Sequence, residues 1–216
     1  MDNDLRILLA DDHEMVRKGL RTVIESRANW VVCAEAANGR EAVELARSKH
    51  PAVAVVDLTM PELNGLDATR TIVRECRGTE VLILTMHDSE QLIHSVLAAG
   101  ARGYVLKSDA GTVLVEAIES LARHEPFFTS KVSDLLLQSY LTPGQAPGDG
   151  SARLTTRERE IIQLVAEGHS SKEIAGILGI SVKTADTHRT NLMRKLGIHS
   201  VSEVVRYAIR NNMIEP

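Results

Sequence analysis

The first 130 residues alternate between two hydrophobic patterns, and this alternation restricts the fold more than any other feature of the chain. Short apolar runs rich in β-branched residues predict five strands, at Leu5–Ala10, Val31–Ala36, Val53–Leu58, Val81–Thr85 and Gly103–Leu106. A stretch with helical spacing follows each run, at Val16–Ile24, Arg40–Ala46, Leu66–Val73, Gln91–Ala98 and Val113–Leu121. This order predicts a doubly wound α/β domain, in which helices cover both faces of a parallel sheet. Its ligand crevice is expected at the carboxyl ends of the strands.

A linker separates this part of the chain from a shorter one. Residues 139–152 read SYLTPGQAPGDGSA, with two prolines, three glycines and no apolar periodicity, which is typical of a linker. We predict a front domain over residues 1–130, a helix end and flexible linker over 131–152, and a second, smaller all-α domain over 153–216.

Charge is distributed unevenly between these domains. Residues 1–130 carry 20 acidic and 14 basic side chains, whereas residues 151–216 carry 7 acidic and 10 basic ones. Only the second domain is therefore suited to a polyanion. No run approaches the roughly 18 apolar residues of a membrane span, and the acidic N-terminus differs from a secretory signal. The two cysteines fit neither a disulfide scaffold nor a zinc site. We predict a cytoplasmic protein with no membrane partner.

Polar side chains stand at the ends of four predicted strands. Asp11 and Asp12 follow the first strand, Asp57 and Thr85 lie at the ends of the third and fourth, and Lys107 follows the fifth. Three carboxylates in one crevice repel each other and require a cation, and such oxygen ligands suit Mg²⁺. The pattern predicts a site for phosphoryl transfer in which Asp57 is the nucleophile, while Mg²⁺ and Lys107 neutralise the charge of the phosphoryl group.

Simpler roles are open to some of these residues. Asp12 can cap the following helix, and Lys107 can be a solvated charge. Four strand ends with suitable residues at one sheet edge nevertheless favour a shared site. We expect the turn at Met60–Pro61 to lead the chain away and leave Asp57 exposed.

The second domain has four helical segments with start signals. Three matches to the capping box open apolar-periodic stretches, at Thr155–Glu158, Ser170–Glu173 and Ser200–Glu203. Ser181 is the expected N-cap of a further helix. The stretch Ser170–Gly197 contains two helical patterns joined by a three-residue turn at Gly179–Ser181. This arrangement predicts a helix-turn-helix, whose second helix can lie in the major groove of DNA.

Four motifs in the front domain resemble the receiver domain of bacterial two-component response regulators. They read LADDHEMVRKGL, VVDLTMPELNGLDATR, LTMHD and ARGYVLKSDA, and the match covers residues 5–125. The resemblance implies a flavodoxin-like fold and Mg²⁺-dependent phosphotransfer from a sensor histidine kinase to Asp57. It also implies that Asp12 and Asp57 hold Mg²⁺, with Asp11 acting largely through water and the carbonyl of Thr59 completing the protein ligands.

The same resemblance implies a switch. Lys107 would pair with the phosphoryl group, and Thr85 and Tyr104 would be coupled, the aromatic ring turning inward when Thr85 moves. Met86 and His87 follow Thr85, where many receivers have a small residue. We expect these bulky side chains to hinder access of water and small phosphodonors.

Residues 154–200 resemble the DNA-binding domain of NarL/LuxR-type regulators, on matches that include Ser171–Ala175, Val182–Thr184 and Lys195–Leu196. The resemblance, with the polar face of the second motif helix, implies DNA contacts from Lys183, Thr184, Asp186, Thr187, His188, Arg189, Thr190, Arg194 and Lys195. Asp186, Thr187 and Thr190 align with base-reading positions of the family, whereas His188 is expected to pack and to contact a phosphate. Asp186 can accept from cytosine N4, pair with Arg189 or repel a phosphate, and its role stays open.

Together these features predict a DNA-binding response regulator in which phosphorylation of Asp57 switches dimerisation and promoter binding. The expected partners are the kinase, double-stranded promoter DNA, a second copy bound through the Val201–Ile209 helix, and RNA polymerase as a further candidate. A Mg²⁺-dependent phosphatase is one alternative, but it needs a carboxylate two residues after the nucleophile, where this chain has Thr59. We therefore predict a switch and not an enzyme. The other alternative, a phosphorylation-independent docking module, leaves the residues at the strand ends unexplained.

Overall fold

The computed structural model describes residues 4–87, 89–129, 132–134 and 154–214. One parallel sheet has the strand order β2-β1-β3-β4-β5-β6. Its strands are β1 Leu5–Ala10, β2 Trp30–Ala36, β3 Val53–Asp57, β4 Glu80–Thr85, β5 Gly103–Leu106 and β6 Phe127–Phe128. The predicted five strands are all present, in the flavodoxin-like order. The prediction omits β6, because two phenylalanines are too short a run to indicate a strand.

Five helices cover the two faces of this sheet. They are α1 Glu14–Glu25, α2 Gly39–Lys49, α3 Gly65–Glu75, α4 Glu90–Ala98 and α5 Ala110–Ala122. Successive strand residues point to opposite faces: Ile7 and Leu9 pack with α1 and α5, whereas Leu8 and Ala10 pack on the face covered by α2, α3 and α4. The predicted doubly wound α/β fold is confirmed.

The second domain consists of helices around a separate core. They are α6 Thr156–Ala166, α7 Ser171–Leu178, α8 Val182–Leu196 and α9 Val201–Arg210. Complete capping boxes open α6 and α7, as predicted, and Ser181 caps α8. The third predicted box is incomplete, because the Glu203 carboxylate accepts a hydrogen bond from the backbone N–H of His199 at 2.6 Å.

The segment between the domains is described only in part. Residues 132–134 are helical, and Val132 is buried against the sheet. The rest of the predicted segment 131–152, including the proline- and glycine-rich residues 139–152, lies outside the described residues, so the domain boundaries stay predictions. Among the described residues, none of the helices combines the length and the apolar character that a membrane crossing requires.

The loop between β3 and α3 is packed tightly at both ends. Gly65 donates its N–H to the Leu58 carbonyl at 2.7 Å, and a Cβ on Gly65 would lie 1.9 Å from the Asp57 carbonyl oxygen. A Cβ on Gly39, at the start of α2, would lie 1.9 Å from the Leu63 carbonyl oxygen. At both positions the neighbouring carbonyl oxygen leaves no room for a side chain larger than that of glycine. The loop is therefore held between the N-termini of α2 and α3.

We predict that Gly65→Ala destabilises the front domain by about 3 kcal/mol, because the backbone of β3 must shift to admit a methyl group. Gly19→Ala is the matched control, since Gly19 lies inside α1 with no atom within 4 Å of an added Cβ, and it should stabilise by about 0.5–1 kcal/mol. Urea unfolding followed by fluorescence of Trp30, the single tryptophan of the chain, measures both changes. Equal stabilities for the two variants would contradict the close packing at Gly65.

Candidate functional site

Four side chains converge at the carboxyl end of the sheet. Asp11, Asp12, His13 and Asp57 each offer a ligand atom within 4.8 Å of the others. Asp12 is exposed, whereas Asp11 and Asp57 are 1% and 5% exposed. The predicted exposure of Asp57 is therefore wrong. The chain does not lead away after the turn, because the loop returns at Gly65 to the end of β3.

Lys107 joins the two buried carboxylates. Its Nζ lies 2.8 Å from Asp57 Oδ2 and 2.8 Å from Asp11 Oδ2. Burial lowers the pKa of Lys107, but its contacts with Asp11 and Asp57 outweigh burial and raise the pKa above its ordinary value. Lys107 is thus a permanent cation between two acidic groups.

Asp57 has a raised pKa, mainly because burial disfavours its charged form. Lys107 lowers the pKa and the nearby charge of Asp11 raises it, and the net result of these effects is a pKa of about 6. Asp11 Oδ2 is buried and makes no well-aligned hydrogen bond, although it lies close to Lys107. These carboxylates therefore fit a divalent cation with a preference for oxygen, such as Mg²⁺.

The sequence prediction missed two residues of this cluster. His13 Nδ1 lies 2.8 Å from Asp12 Oδ1 and 3.5 Å from Asp11 Oδ1, and Arg17 donates to the Asp11 carbonyl at 2.6 Å. The position of His13 directly after the acidic pair was a usable signal. Arg17 is one helical turn further on, and only the folded start of α1 brings it back to Asp11.

The predicted switch residues are linked through the backbone of His87. The His87 N–H donates to Thr85 Oγ1 at 3.2 Å, and the hydroxyl of Tyr104 donates to the His87 carbonyl. Thr85 and Tyr104 are both buried, so the aromatic ring already lies inside the domain. Thr59 is half-buried on the loop, two residues beyond Asp57.

The nine predicted DNA contacts all lie on α8 and differ in exposure. Six are exposed, and the half-buried ones are Thr184, His188 and Arg189. Three of the exposed side chains have partners in their own domain. Lys195 binds Glu158 of α6 at 2.8 Å, Arg194 donates to Asn191 at 2.7 Å, and the Thr187 hydroxyl donates to the Lys183 carbonyl at 2.8 Å.

The structure bears on one of the three roles left open for Asp186, its pairing with Arg189. No ion pair joins Asp186 and Arg189, and both residues lie within the described stretch 154–214. Asp186 is exposed beside Thr187 and Thr190, so its carboxylate faces the same solvent as the other predicted base-reading positions.

A flavodoxin-like domain with an acidic site, followed by a helix-turn-helix domain, defines a class of regulators. Residues 7–119 match the family described as response regulator receiver domain. Residues 152–208 match the family described as bacterial regulatory proteins, luxR family. The chain therefore belongs to the response regulators that combine a receiver domain with a LuxR-type DNA-binding domain and regulate transcription.

Similar proteins match almost the whole chain. Transcriptional regulatory protein MctR of Rhizobium johnstonii is 39% identical over 210 residues, which cover 97% of this chain and 95% of that protein. Transcriptional regulatory protein LiaR of Bacillus subtilis is 37% identical and covers 97% and 99%. The structure of RcsB from Salmonella enterica serovar Typhimurium bound to promoter P1flhDC is 28% identical, with a TM-score of 0.59 and coverage of 95% and 98%.

We predict that Asp57→Asn stabilises the metal-free protein at pH 7.5 by about 2–3 kcal/mol. A carboxyl whose pKa is raised from 3.8 to about 6 in the folded state contributes full stability below pH 4. That contribution is lost as the pH rises through 6, when the buried group ionises. Asparagine carries no charge, so its advantage should fade between pH 7 and pH 4.

The measurement is urea unfolding in the presence of a chelator across this pH range. Asp12→Asn is the control, because it makes the same substitution in an acidic residue of the site that is exposed to solvent. An Asp57→Asn protein no more stable than wild type at pH 7.5 would contradict the burial of a charge at this position.

Proposed function

We propose that this response regulator accepts a phosphoryl group on Asp57 from a sensor histidine kinase, and that phosphorylation changes dimerisation and promoter binding. The observation that carries the proposal is the setting of Asp57. This buried carboxylate ends β3, 2.8 Å from the ammonium of Lys107 and within 4.8 Å of ligand atoms on Asp11 and Asp12. A nucleophile, a fixed cation and further carboxylates for a metal thus share one crevice.

Each residue of the site has a separate role in the proposed phosphoryl transfer. Asp12, Asp57 and the carbonyl of Thr59 would hold Mg²⁺, with Asp11 acting through water, and the bound metal would neutralise phosphoryl charge and orient its oxygens. A carboxylate oxygen of Asp57 attacks phosphorus, while the bond from phosphorus to the kinase histidine breaks and its electron pair stays with the imidazole. Lys107 moves from the carboxylates to the phosphoryl oxygens, where the new negative charge lies.

The hydrogen bonds of His87 support a route from this chemistry to the surface. A phosphoryl oxygen on Asp57 would accept a hydrogen bond from the Thr85 hydroxyl and draw it toward the site, away from the His87 N–H that now donates to it. Movement of His87 then shifts the carbonyl that binds Tyr104. The switch proposed for Thr85 and Tyr104 therefore works through one intervening residue, His87.

The exposed face of α8 is the proposed DNA reader. Lys183 would contact a phosphate, and Asp186, Thr187 and Thr190 would face base edges. Val201 on α9 is 44% exposed, which supports a dimer contact through this helix. A regulator of this kind acts on promoter DNA in the bacterial cytoplasm, with RNA polymerase as a further partner.

We do not propose that the site catalyses repeated hydrolysis of phosphate esters, as an aspartyl phosphatase would. An aspartyl phosphatase uses a second carboxylate, two residues after the nucleophile, as general acid. Thr59 occupies that position, and its hydroxyl cannot protonate a leaving alcohol as a carboxylic acid does.

The proposal is tested by incubating the protein with Mg²⁺ and a small acyl phosphate. We expect the intact mass to rise by one phosphoryl group in wild type and to stay unchanged in Asp57→Ala. Dimerisation and binding to a DNA fragment selected from a random pool should then increase in wild type alone. An unchanged wild-type mass would refute the phosphoacceptor assignment, a modified protein with unaltered DNA binding would refute the coupling, and rapid multiple turnover would favour a phosphatase.

We predict that Lys183→Ala lowers the salt dependence of binding to random-sequence duplex DNA. One lost phosphate contact should reduce the slope of log K against log salt by about 1. Lys18→Ala is the control, because Lys18 is an exposed lysine on α1 of the receiver, paired with Glu14. Fluorescence anisotropy at several salt concentrations measures both slopes, and an unchanged slope for Lys183→Ala would remove Lys183 from the DNA interface.

A further inference from the structure

His13 stands at the start of α1, beside the carboxylates of the proposed metal site. It is the N-cap of this helix, a position that favours Ser, Thr, Asp and Asn because their side chains accept a hydrogen bond from the first turn. The His13 side chain makes no such bond. Helix capping therefore does not account for a histidine at this position, and the ring contacts the acidic site instead.

Two contacts fix His13 against the acidic pair. Its backbone N–H donates to Asp11 Oδ1 at 2.8 Å, which ties the start of α1 to a buried carboxylate. Its ring Nδ1 lies 2.8 Å from Asp12 Oδ1. Two ligands that bind one ion at right angles, each about 2.1 Å away, are about 3 Å apart. Nδ1 and Asp12 Oδ1 are therefore spaced like neighbouring ligands of one octahedral ion.

The contact between His13 and Asp12 is open to solvent. The two side chains are 62% and 36% exposed, so a pair between them contributes little in water, and its exchange for bonds to a metal ion costs little. Both residues also belong, with Asp11 and Asp57, to the group whose ligand atoms all lie within 4.8 Å of one another. The ring can therefore join the carboxylates around one ion.

The charge of the site requires a divalent cation, but the type of ligand decides which one. Asp11, Asp12 and Asp57 carry three negative charges and Lys107 carries one positive charge, so any divalent ion balances them. Mg²⁺ takes oxygen ligands, whereas an imidazole nitrogen suits first-row transition ions such as Fe²⁺, Ni²⁺ and Zn²⁺. A nitrogen in the coordination shell thus favours a transition ion over Mg²⁺.

We propose that Nδ1 of His13 binds the metal ion of this site directly, and that this ligand makes the receiver prefer a divalent first-row transition ion to Mg²⁺. The proposal rests on the metal site of the proposed function and adds to it one ligand and a class of ion. Asp12, Asp57, the Thr59 carbonyl and His13 would supply four of the six ligands of an octahedral ion. Two positions then stay open, for a phosphoryl oxygen and for the water through which Asp11 acts.

The test measures metal binding by the full-length protein without a phosphodonor. Wild type is compared with His13→Ala and with His13→Asn, in which asparagine keeps a side chain suited to an N-cap but removes the imidazole. His94→Ala is the matched control, because His94 is a histidine of α4 that lies 3.9 Å from a carboxylate oxygen of Glu90. Circular dichroism checks that every variant is folded.

Pulsed EPR of bound Mn²⁺ identifies the ligand. We expect a nitrogen modulation in wild type, because manganese bonded to Nδ1 is coupled to the nitrogen nucleus. His94→Ala should keep this modulation, and both His13 variants should lose it while they still bind Mn²⁺ through the carboxylates. Asp57→Asn should weaken Mn²⁺ binding, which locates the ion at the phosphoacceptor.

Displacement of bound Mn²⁺ by Ni²⁺ and by Mg²⁺ measures the preference of the site. Loss of an outer-shell partner of a metal ligand already lowers metal affinity by about 10- to 100-fold, so loss of the ligand itself in the His13 variants should lower the Ni²⁺ affinity by at least about 10-fold. Mg²⁺ binds through oxygen and should depend much less on His13. The ratio of Ni²⁺ to Mg²⁺ affinity should therefore fall in both His13 variants and stay unchanged in His94→Ala.

Several results would overturn the proposal. They are a wild-type spectrum without nitrogen modulation, a modulation that survives in both His13 variants or disappears in His94→Ala, and an Asp57→Asn protein that binds Mn²⁺ as wild type does. An unchanged affinity ratio in the His13 variants would overturn the preference for a transition ion. Failure of the proposed function gives a different result, because wild type then takes up no phosphoryl group from a small acyl phosphate while metal binding still depends on His13.

Discussion

The contact of one ammonium with two buried carboxylates is the interaction on which this protein depends. Lys107 lies 2.8 Å from both Asp11 and Asp57, and without it two negative charges would be buried side by side. Burial still raises the pKa of Asp57 to about 6, so one ammonium does not fully compensate. The receiver is folded around a site that lacks positive charge, and this deficit is the physical basis for the capture of a metal and then a phosphoryl group.

The tight packing of the loop between β3 and α3 links the site at Asp57 mechanically to the surface of the domain. Carbonyl oxygens of Asp57 and Leu63 press against Gly65 and Gly39, so the chain after β3 behaves as a stiff link between the phosphoacceptor and the surface. Packed structures pass on small displacements instead of absorbing them. The proposed switch starts equally close to the site, because His87 lies two residues after the end of β4.

Features fixed by a repeating pattern were predictable from the sequence. Strands β1 to β5, the caps of α6 and α7 and the meeting of Asp11, Asp57 and Lys107 follow from periodicity and from the geometry of parallel sheets. The burial of Asp57 was not predictable, because it depends on a loop that returns instead of leaving. The hydrogen bonds of Gln163 with Asn64 and Met60 were also hidden, since these residues lie 99 and 103 positions earlier in the chain. A glutamine inside the apolar run Ile161–Val165 was nevertheless a signal that this helix face meets polar groups.

Hydrogen bonds join α6 to the loop after β3. Gln163 is buried there, accepts hydrogen bonds from Asn64 and donates one to the Met60 carbonyl. Each such bond replaces a bond to water, so each contributes only about 1 kcal/mol net. An apolar contact of the same extent would contribute more, because it would remove hydrophobic surface from water. The buried glutamine therefore fixes the position of α6 on this loop more than it stabilises the protein.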